Sequence, residues 1–284
     1  MTVETPIHER RPIGCQARPW LQAMGPEAFG AHLPDVMRQI AAIGYRGFET
    51  ALAQLPLDAP ERFAAWREAA DGLTLAGAHA GGKWWEPGAA ETVTAIAARA
   101  AALPAFGCNR LVVSGAGIPL PASDDDLATF TENLAALGRA CHTVGVHVTY
   151  HNHAAEIQDE ARVLAAIIAR CTPDEVMLAP DLGWVAHAGM KVENFLNRFG
   201  TRIAYLHVRD ITAYGAEGGF IEIGRGVLDH RAVLATLDQI GYRGWLTVES
   251  EFNQFWRGLT DPGETATAQF AGLRAVGATH DGGR

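Results

Sequence analysis

No run of roughly 18 apolar residues occurs in the 284-residue chain, which excludes a membrane-spanning helix. Basic residues are in deficit: 23 Lys and Arg stand against 32 Asp and Glu, giving a formal net charge of −9. They are also scattered singly, whereas a phosphate-backbone binder needs a basic stripe that releases counterions, so nucleic acid is not an expected partner. Cysteine is scarce, and Cys15, Cys108, Cys141 and Cys171 form no CxxC pair. That spacing suggests neither a zinc knuckle nor a disulfide framework and predicts reduced, structural thiols. The opening stretch, MTVETPIHERRPIG, lacks the apolar centre of a signal peptide, so a cytoplasmic location is expected. No GxGxxG follows the first candidate strand, and no internal repeat, low-complexity tract or linker interrupts the chain.

What is present is an alternation. Short β-branched or apolar runs predict strands at Ile13–Gln16, Gly47–Glu49, Leu73–His79, Arg110–Val113, His147–His151, Val176–Asp181, Ile203–Arg209 and Trp245–Glu249. Amphipathic stretches between them predict helices at Leu33–Ala42, Ala90–Ala102, Leu127–Thr143, Ala161–Arg170, Val192–Phe199 and Arg231–Ile240. Strand, helix and strand in repetition read as βαβ units around a parallel sheet. With 48% hydrophobic residues there is material for a large core. Eight strands and no dinucleotide fingerprint favour an α/β fold, a single (β/α)8 TIM barrel over residues 1–284, for which about 250 residues suffice. The polar tail after Val276, GATHDGGR, is expected to fray.

Several strands end on residues that an apolar core would not choose: Glu49, His79, His151-Asn152-His153, Asp181, His207 and Glu249. In a βα barrel such ends converge on the face where active sites are built. One strand-end carboxylate is usually a cap or a surface group; six of eight strands ending this way point to function. Asp and Glu oxygens with imidazole nitrogens and no thiolate suit Mn²⁺, Co²⁺, Fe²⁺, Mg²⁺ or Zn²⁺. Crowded carboxylates would repel one another unless a cation or shared protons neutralised them, and pairing with Lys83, Arg209 or Arg225 compensates only some of them. Strand parity places His147, Thr149, His151 and His153 on one side, with Val148, Tyr150 and Asn152 on the other. Glu156 follows in the next loop and can fold back over the mouth.

Two loops add candidates. AHAGGKWWEPG brings glycines, Lys83, Trp84 and Trp85 beyond the third strand, and flat aromatic faces beside a polar pocket suit the C–H face of a sugar. GFIEIGRGVLD, with Arg225, reads as a mouth loop between the seventh strand and its helix. Trp20, Trp184 and Trp256 fit core packing equally well. Glu49, His79, Lys83, Trp84, Arg209 and Arg225 are the candidate substrate-binding residues.

The segments GYRGFE, YHNHAAE, APDLGWVAHAG, YLHVRD, GRGVLD and GYRGWLTVESE, in that order from Gly44 to Glu251, resemble the xylose isomerase-like superfamily of sugar phosphate isomerases and epimerases. The resemblance implies one divalent metal ion, often Mn²⁺, held by Glu, Asp, His and Glu at the ends of strands five to eight. Asp181, His207 and Glu249 match three of these positions directly. The fourth departs, because His151 stands where many epimerases have Glu. Either His151 takes the metal position, or Glu156 supplies the carboxylate while His151 or His153 does acid/base work; the second assignment is preferred. The YHNH variant and the GGKWW loop are similar to a subgroup that includes inosose dehydratase. A distant branch, the apurinic endonucleases, uses extra ligands where Glu49 and His79 lie, but the acidic charge argues against that activity.

The expected function is a metal-dependent isomerase or epimerase of a small keto-sugar or polyol, working through an enediolate, with His151, His153 and Glu249 as catalytic residues. A lyase or dehydratase acting on a keto-inositol or 3-keto-sugar is the close alternative, since both begin with the same proton abstraction. A non-catalytic carbohydrate-binding barrel would be expected to have lost ligands that this chain keeps. A homo-oligomer is compatible with the resemblance.

Overall fold

The computed structural model describes residues 11–115, 117–250 and 261–278. Residues 1–10, Glu251, Trp256 and the tail from residue 279 onward lie outside the described residues. In chain order the strands are β1 (Ile13–Gln16), β2 (Gly47–Ala51), β3 (Thr74–Gly82), β4 (Arg110–Gly115), β5 (His147–His151), β6 (Met177–Leu178), β7 (Leu206–Val208), β8 (Asp210–Ile211), β9 (Phe220–Ile221) and β10 (Leu246–Val248). Eight of them pair in the order β6-β5-β4-β3-β2-β1-β10-β7, all in parallel. Parallel bridges from Leu178 to Ile203 and from Asp181 to His207 join β6 to β7 and close the ring. β8 and β9 pair with each other, antiparallel, in the excursion that follows β7. The α/β barrel read from the alternation is the fold.

The helices are α1 (Arg18–Met24), α2 (Pro26–Ile43), α3 (Pro60–Ala69), α4 (Ala89–Ala100), α5 (Asp124–His142), α6 (Ala154–Arg170), α7 (Leu182–His187), α8 (Val192–Phe199), α9 (His230–Gln239) and α10 (Pro262–Ala275). α5 shows why the sequence makes them. Leu127, Phe130, Thr131, Leu134, Leu137, Gly138 and Cys141 recur at three- and four-residue spacing and are its buried face. Ser123 caps its first turn, accepting from Asp126 N at 3.1 Å while Asp126 returns a bond to Ser123 N at 2.9 Å. Three aspartates there complement the helix dipole. α1, α3, α7 and α10 were not expected from the sequence. α6 begins at Ala154, earlier than the expected Ala161, and its backbone is left-handed at Asp159, Glu160 and Ala161.

Among the described residues one continuous apolar core runs between strands and helices, and a second, small cluster is formed by Ala76, Val112, Ala179 and Tyr205 with Trp245 packed on it. Trp245 precedes β10 and fills the lower end, lying 2.5 Å from where a Cβ on Gly47 would stand, so only glycine fits there. Arg110, the first residue of β4, lies 4.8 Å over the Tyr205 ring and donates to Ala76 O at 2.8 Å. With the lower end plugged, the upper interior is left to polar side chains. All four cysteines are free and buried.

Candidate active site

The polar strand ends converge as the alternation implied. His151 from β5, Asp181 at the start of α7, His207 from β7 and Glu249 just after β10 are buried, and one ligand atom from each lies within 4.8 Å of the others. His207 is the hub. Its Nδ1 is 2.9 Å from His151 Nδ1 and 2.7 Å from Glu249 Oε2, while its Nε2 is 2.8 Å from Glu49 Oε2. Glu49 is held in turn by Gln16 Nε2 at 2.8 Å. Arg209 spans the other two acids, with Nε 2.8 Å from Asp181 Oδ2 and a guanidinium nitrogen against Glu249 Oε1. Its guanidinium carbon also lies 4.3 Å from the Phe220 ring centre.

Burial and neighbours set the charges. Burial opposes charge on His207, but Glu49 and Glu249 reverse this and raise its pKa to about 10. Burial holds His151 well below the usual histidine range despite Glu249, and it lowers His79 likewise. Burial pushes Asp181 upward against Arg209. Glu249 goes the other way: burial would raise it, yet Arg209 and His207 hold it well below the usual carboxylate range. Glu49 is also lowered, against its burial, by His207.

These residues fit a divalent cation. Asp181 Oδ2 and Glu249 Oε2 are buried acceptors that receive no well-directed hydrogen bond, although a cationic nitrogen lies within 2.8 Å of each. Three carboxylates, Glu49, Asp181 and Glu249, face one buried guanidinium, and with His207 giving up its extra proton to act as a ligand, two further positive charges are accommodated. Two imidazoles and two carboxylates form a donor set that Mn²⁺, Fe²⁺, Co²⁺ and Zn²⁺ accept. The bond from Glu49 to His207 Nε2 is the carboxylate–imidazole pairing that orients metal-binding histidines and fixes their tautomer. Asp181 is fixed by its second oxygen, which caps α7 by accepting from Trp184 N at 3.0 Å.

Several expected site residues lie elsewhere. Glu156, the preferred fifth-strand carboxylate, is outside the cluster: it accepts from Tyr150 OH at 2.9 Å and from His153 N at 2.9 Å. Tyr150 points to the opposite face of β5 from His151, into the helix layer against Phe130, and Glu156 follows it there. Glu49 and Arg209, expected to bind substrate, are buried behind the cluster with acidic or basic partners. Trp84 is 0% exposed, its Nε1 donating to Ser114 O at 2.9 Å, because β3 runs on to Gly82 and turns the ring into the core. Lys83 is 59% exposed and pairs with Glu86 at 2.9 Å. Arg225 is 55% exposed, pairs with Glu222 at 2.9 Å, and borders a surface groove against α10.

His79 and His153 are brought to the site. Their half-buried rings meet His151 edge-on, with centroids 6.0 and 5.0 Å away. His153 also touches Trp184 at 5.6 Å. His79 lines a cavity of about 250 Å³ together with Gln16, Arg18, Leu21, Gln22, Thr50 and Ala51. Arg18 reaches to 3.7 Å from Glu249 Oε1. The sequence reading missed Gln16, Arg18 and Gln22. Gln16 was within reach, since it is the polar end of β1 and satisfies the criterion applied to the other strands. Nothing local marks Arg18 or Gln22.

The family model described as xylose isomerase-like TIM barrel matches residues 37–275. Inosose dehydratase of Lacticaseibacillus casei is 25% identical over 144 residues, covering 45% of this chain and 48% of the relative, so the match spans about half the length of that curated relative. Among solved structures, an L-ribulose 3-epimerase superposes with a TM-score of 0.72 at 19% identity, over 94% of this chain and 95% of the other. A 3-keto-D-glucoside 4-epimerase from E. coli gives 0.71 at 20% identity, over 94% and 100%. These similarities carry the fold. The chain belongs to the xylose isomerase-like TIM-barrel family.

Proposed function

We propose that the chain is a metal-dependent isomerase or epimerase of a small keto-sugar or cyclic polyol ketone. The observation that carries the reading is the buried group of His151, Asp181, His207 and Glu249, with two further imidazoles and a sugar-sized cavity beside it. A divalent ion held by these four residues would supply Lewis acidity toward a substrate carbonyl, and Mn²⁺ suits two imidazoles with two carboxylates. The remaining steps fall to the chain. The cavity beneath Arg18, Gln22 and Thr50 receives the polyol, and Leu21 offers its apolar patch to C–H groups. His153 removes the hydrogen next to the carbonyl and becomes imidazolium, and His79, which lines the cavity, takes a proton from solvent and passes it to the opposite face of the enediolate, ending as the neutral imidazole. Arg209, fixed behind Asp181 and Glu249, adds positive potential where negative charge develops.

A lyase reading is favoured by one observation, the similarity to inosose dehydratase. The same proton abstraction then ends in expulsion of a β-hydroxyl as water. One experiment addresses both. Protein loaded with Mn²⁺ is incubated in D₂O with L-ribulose, D-allulose, a 3-keto-glucoside and inosose, and the products are read by NMR. An epimerase or isomerase gives an isomer deuterated at the reacting carbon; a dehydratase gives a product lighter by one water. No turnover and no deuterium uptake on any of the four, by protein that holds metal, would contradict the reading.

A further inference from the structure

Glu156 is buried and absent from the cluster, yet both of its oxygens are engaged. Oε1 accepts from Tyr150 OH at 2.9 Å, and Tyr150 OH itself accepts from Gly115 N at 3.0 Å. Oε2 accepts from the backbone N of His153 at 2.9 Å. The chain of contacts runs from the end of β4, through β5, to the first turn of α6, and ends at the residue whose ring stands beside His151 and Trp184. Gly115 is part of the design: a Cβ there would collide with Tyr150 OH and lie 3.3 Å from Glu156 Oε1.

The turn needs such a tether. Asp159, Glu160 and Ala161 have φ of 50°, 54° and 60°, a left-handed stretch that L-residues disfavour. It breaks α6 directly after its first turn, so the helix body does not hold residues 154–157 rigidly. No cluster atom contributes to the tether, because Tyr150 and His151 face opposite sides of β5.

We propose that Glu156 is a positioning residue that fixes the His153 imidazole at the mouth of the site through the Gly115–Tyr150–Glu156–His153 chain. It touches neither substrate nor ion. The proposal rests on the reading of His153 as a proton carrier for its effect on rate, but the placement of the ring is tested independently of any substrate. Glu156→Gln keeps an oxygen for His153 N and a polar amide for Tyr150 OH, whereas Glu156→Ala severs both links.

The test has three readouts. In NMR of histidine-labelled, Zn²⁺-loaded protein, the nuclear Overhauser contact between the His153 and Trp184 rings should vanish in Glu156→Ala and persist in Glu156→Gln. Mn²⁺ affinity should stay clear of the roughly 10–100-fold drop that follows loss of a metal partner. With inosose or whichever of the four ketones above turns over, kcat of Glu156→Ala should fall about 100-fold with KM little changed, the scale of a misplacement of about 1 Å, and Glu156→Gln should recover most of it. If Glu156→Ala does not fold, Tyr150→Phe replaces it and should weaken the same ring contact. A His153–Trp184 contact unaltered in the folded variant overturns the proposal, as does a metal affinity lost along with Glu156. Full turnover by His153→Ala would instead sink the proton-carrier reading and leave the ring-placement result to decide this one.

Discussion

Asp210 offers the sharpest test of how the site's framework is held. It follows Arg209 directly and is fully buried. Its Oδ1 accepts from Ile211 N at 2.8 Å and Leu228 N at 3.2 Å, and its Oδ2 from Gly224 N at 2.9 Å and Gly226 N at 3.0 Å. His230 Nε2 lies 3.2 Å from Oδ2. One carboxylate thus gathers the whole excursion from β8 to α9, and Gly226 is glycine because a Cβ there would collide with the carboxylate. In Asp210→Ala the Gly224 and Gly226 amides, being in a partly exposed loop, can turn to water. Ile211 and Leu228 are buried and cannot. Two charge-assisted bonds at roughly 1.5–3 kcal/mol each give a loss of about 3–6 kcal/mol. That is a large share of the roughly 5–15 kcal/mol total of a folded domain, and at about 2–4 °C per kcal/mol it lowers Tm by about 6 °C or more. Asp210→Asn should lose less, since its amide oxygen keeps two of the four donors. The pH dependence has a definite sign. Burial raises the Asp210 pKa, but His230 and the backbone donors bring it below its ordinary value. A depressed folded pKa contributes stability above the unfolded value of about 3.9, lost as pH falls through the folded value. Melts of wild type should therefore drop through the acid range, with a shallower drop in Asp210→Asn. A change in Tm below about 2 °C for Asp210→Ala, which is less than about 1 kcal/mol on the scale above, would refute the reasoning.

Glu49→Gln keeps an oxygen for His207 Nε2, and its amide nitrogen can donate to Gln16 Oε1 once the Gln16 amide turns over, but the charge behind His207 is removed, so Mn²⁺ affinity should fall by roughly 10–100-fold in calorimetric titration with little change in melting. Asp181→Asn and Glu249→Gln remove direct donors and should lose metal and turnover together by at least that factor, read by elemental analysis beside kinetics. Trp84→Ala should cost about 3–5 kcal/mol of stability in urea unfolding while kcat/KM of the folded fraction is unchanged, because the ring is wholly interior.

Much of this was legible in the sequence, for physical reasons that particular residues make plain. Strand β5 was bounded correctly at His147–His151 because alternation and β-branched residues both mark it. The converging strand ends were legible because polar residues in an apolar pattern stand out: His151, Asp181, His207 and Glu249 were all singled out. Helices α1 and α7 were not, since seven and six residues give too short a period to detect. Glu156 was misplaced for a different reason. Strand parity says which face a residue takes on β5, but not that a carboxylate at the third position of the next helix turns back to a strand hydroxyl. Trp84 was read as a mouth residue because the sequence does not show that β3 continues through two glycines to Gly82. Glu49 sits next to a register shift between Phe48 and Glu49, and its inward turn toward His207 follows from tertiary packing alone.

The central claim is that His151 and His207, with Asp181 and Glu249, bind one divalent ion, and that Glu156 does not. Pulsed electron paramagnetic resonance on Mn²⁺-loaded protein reads directly which nitrogens are bound to the ion. The account requires one Mn²⁺ per chain coupled to two imidazole nitrogens, with one coupling lost in His151→Ala and both kept in Glu156→Ala. A single nitrogen coupling that survives His151→Ala, together with Mn²⁺ released by Glu156→Ala, would contradict it.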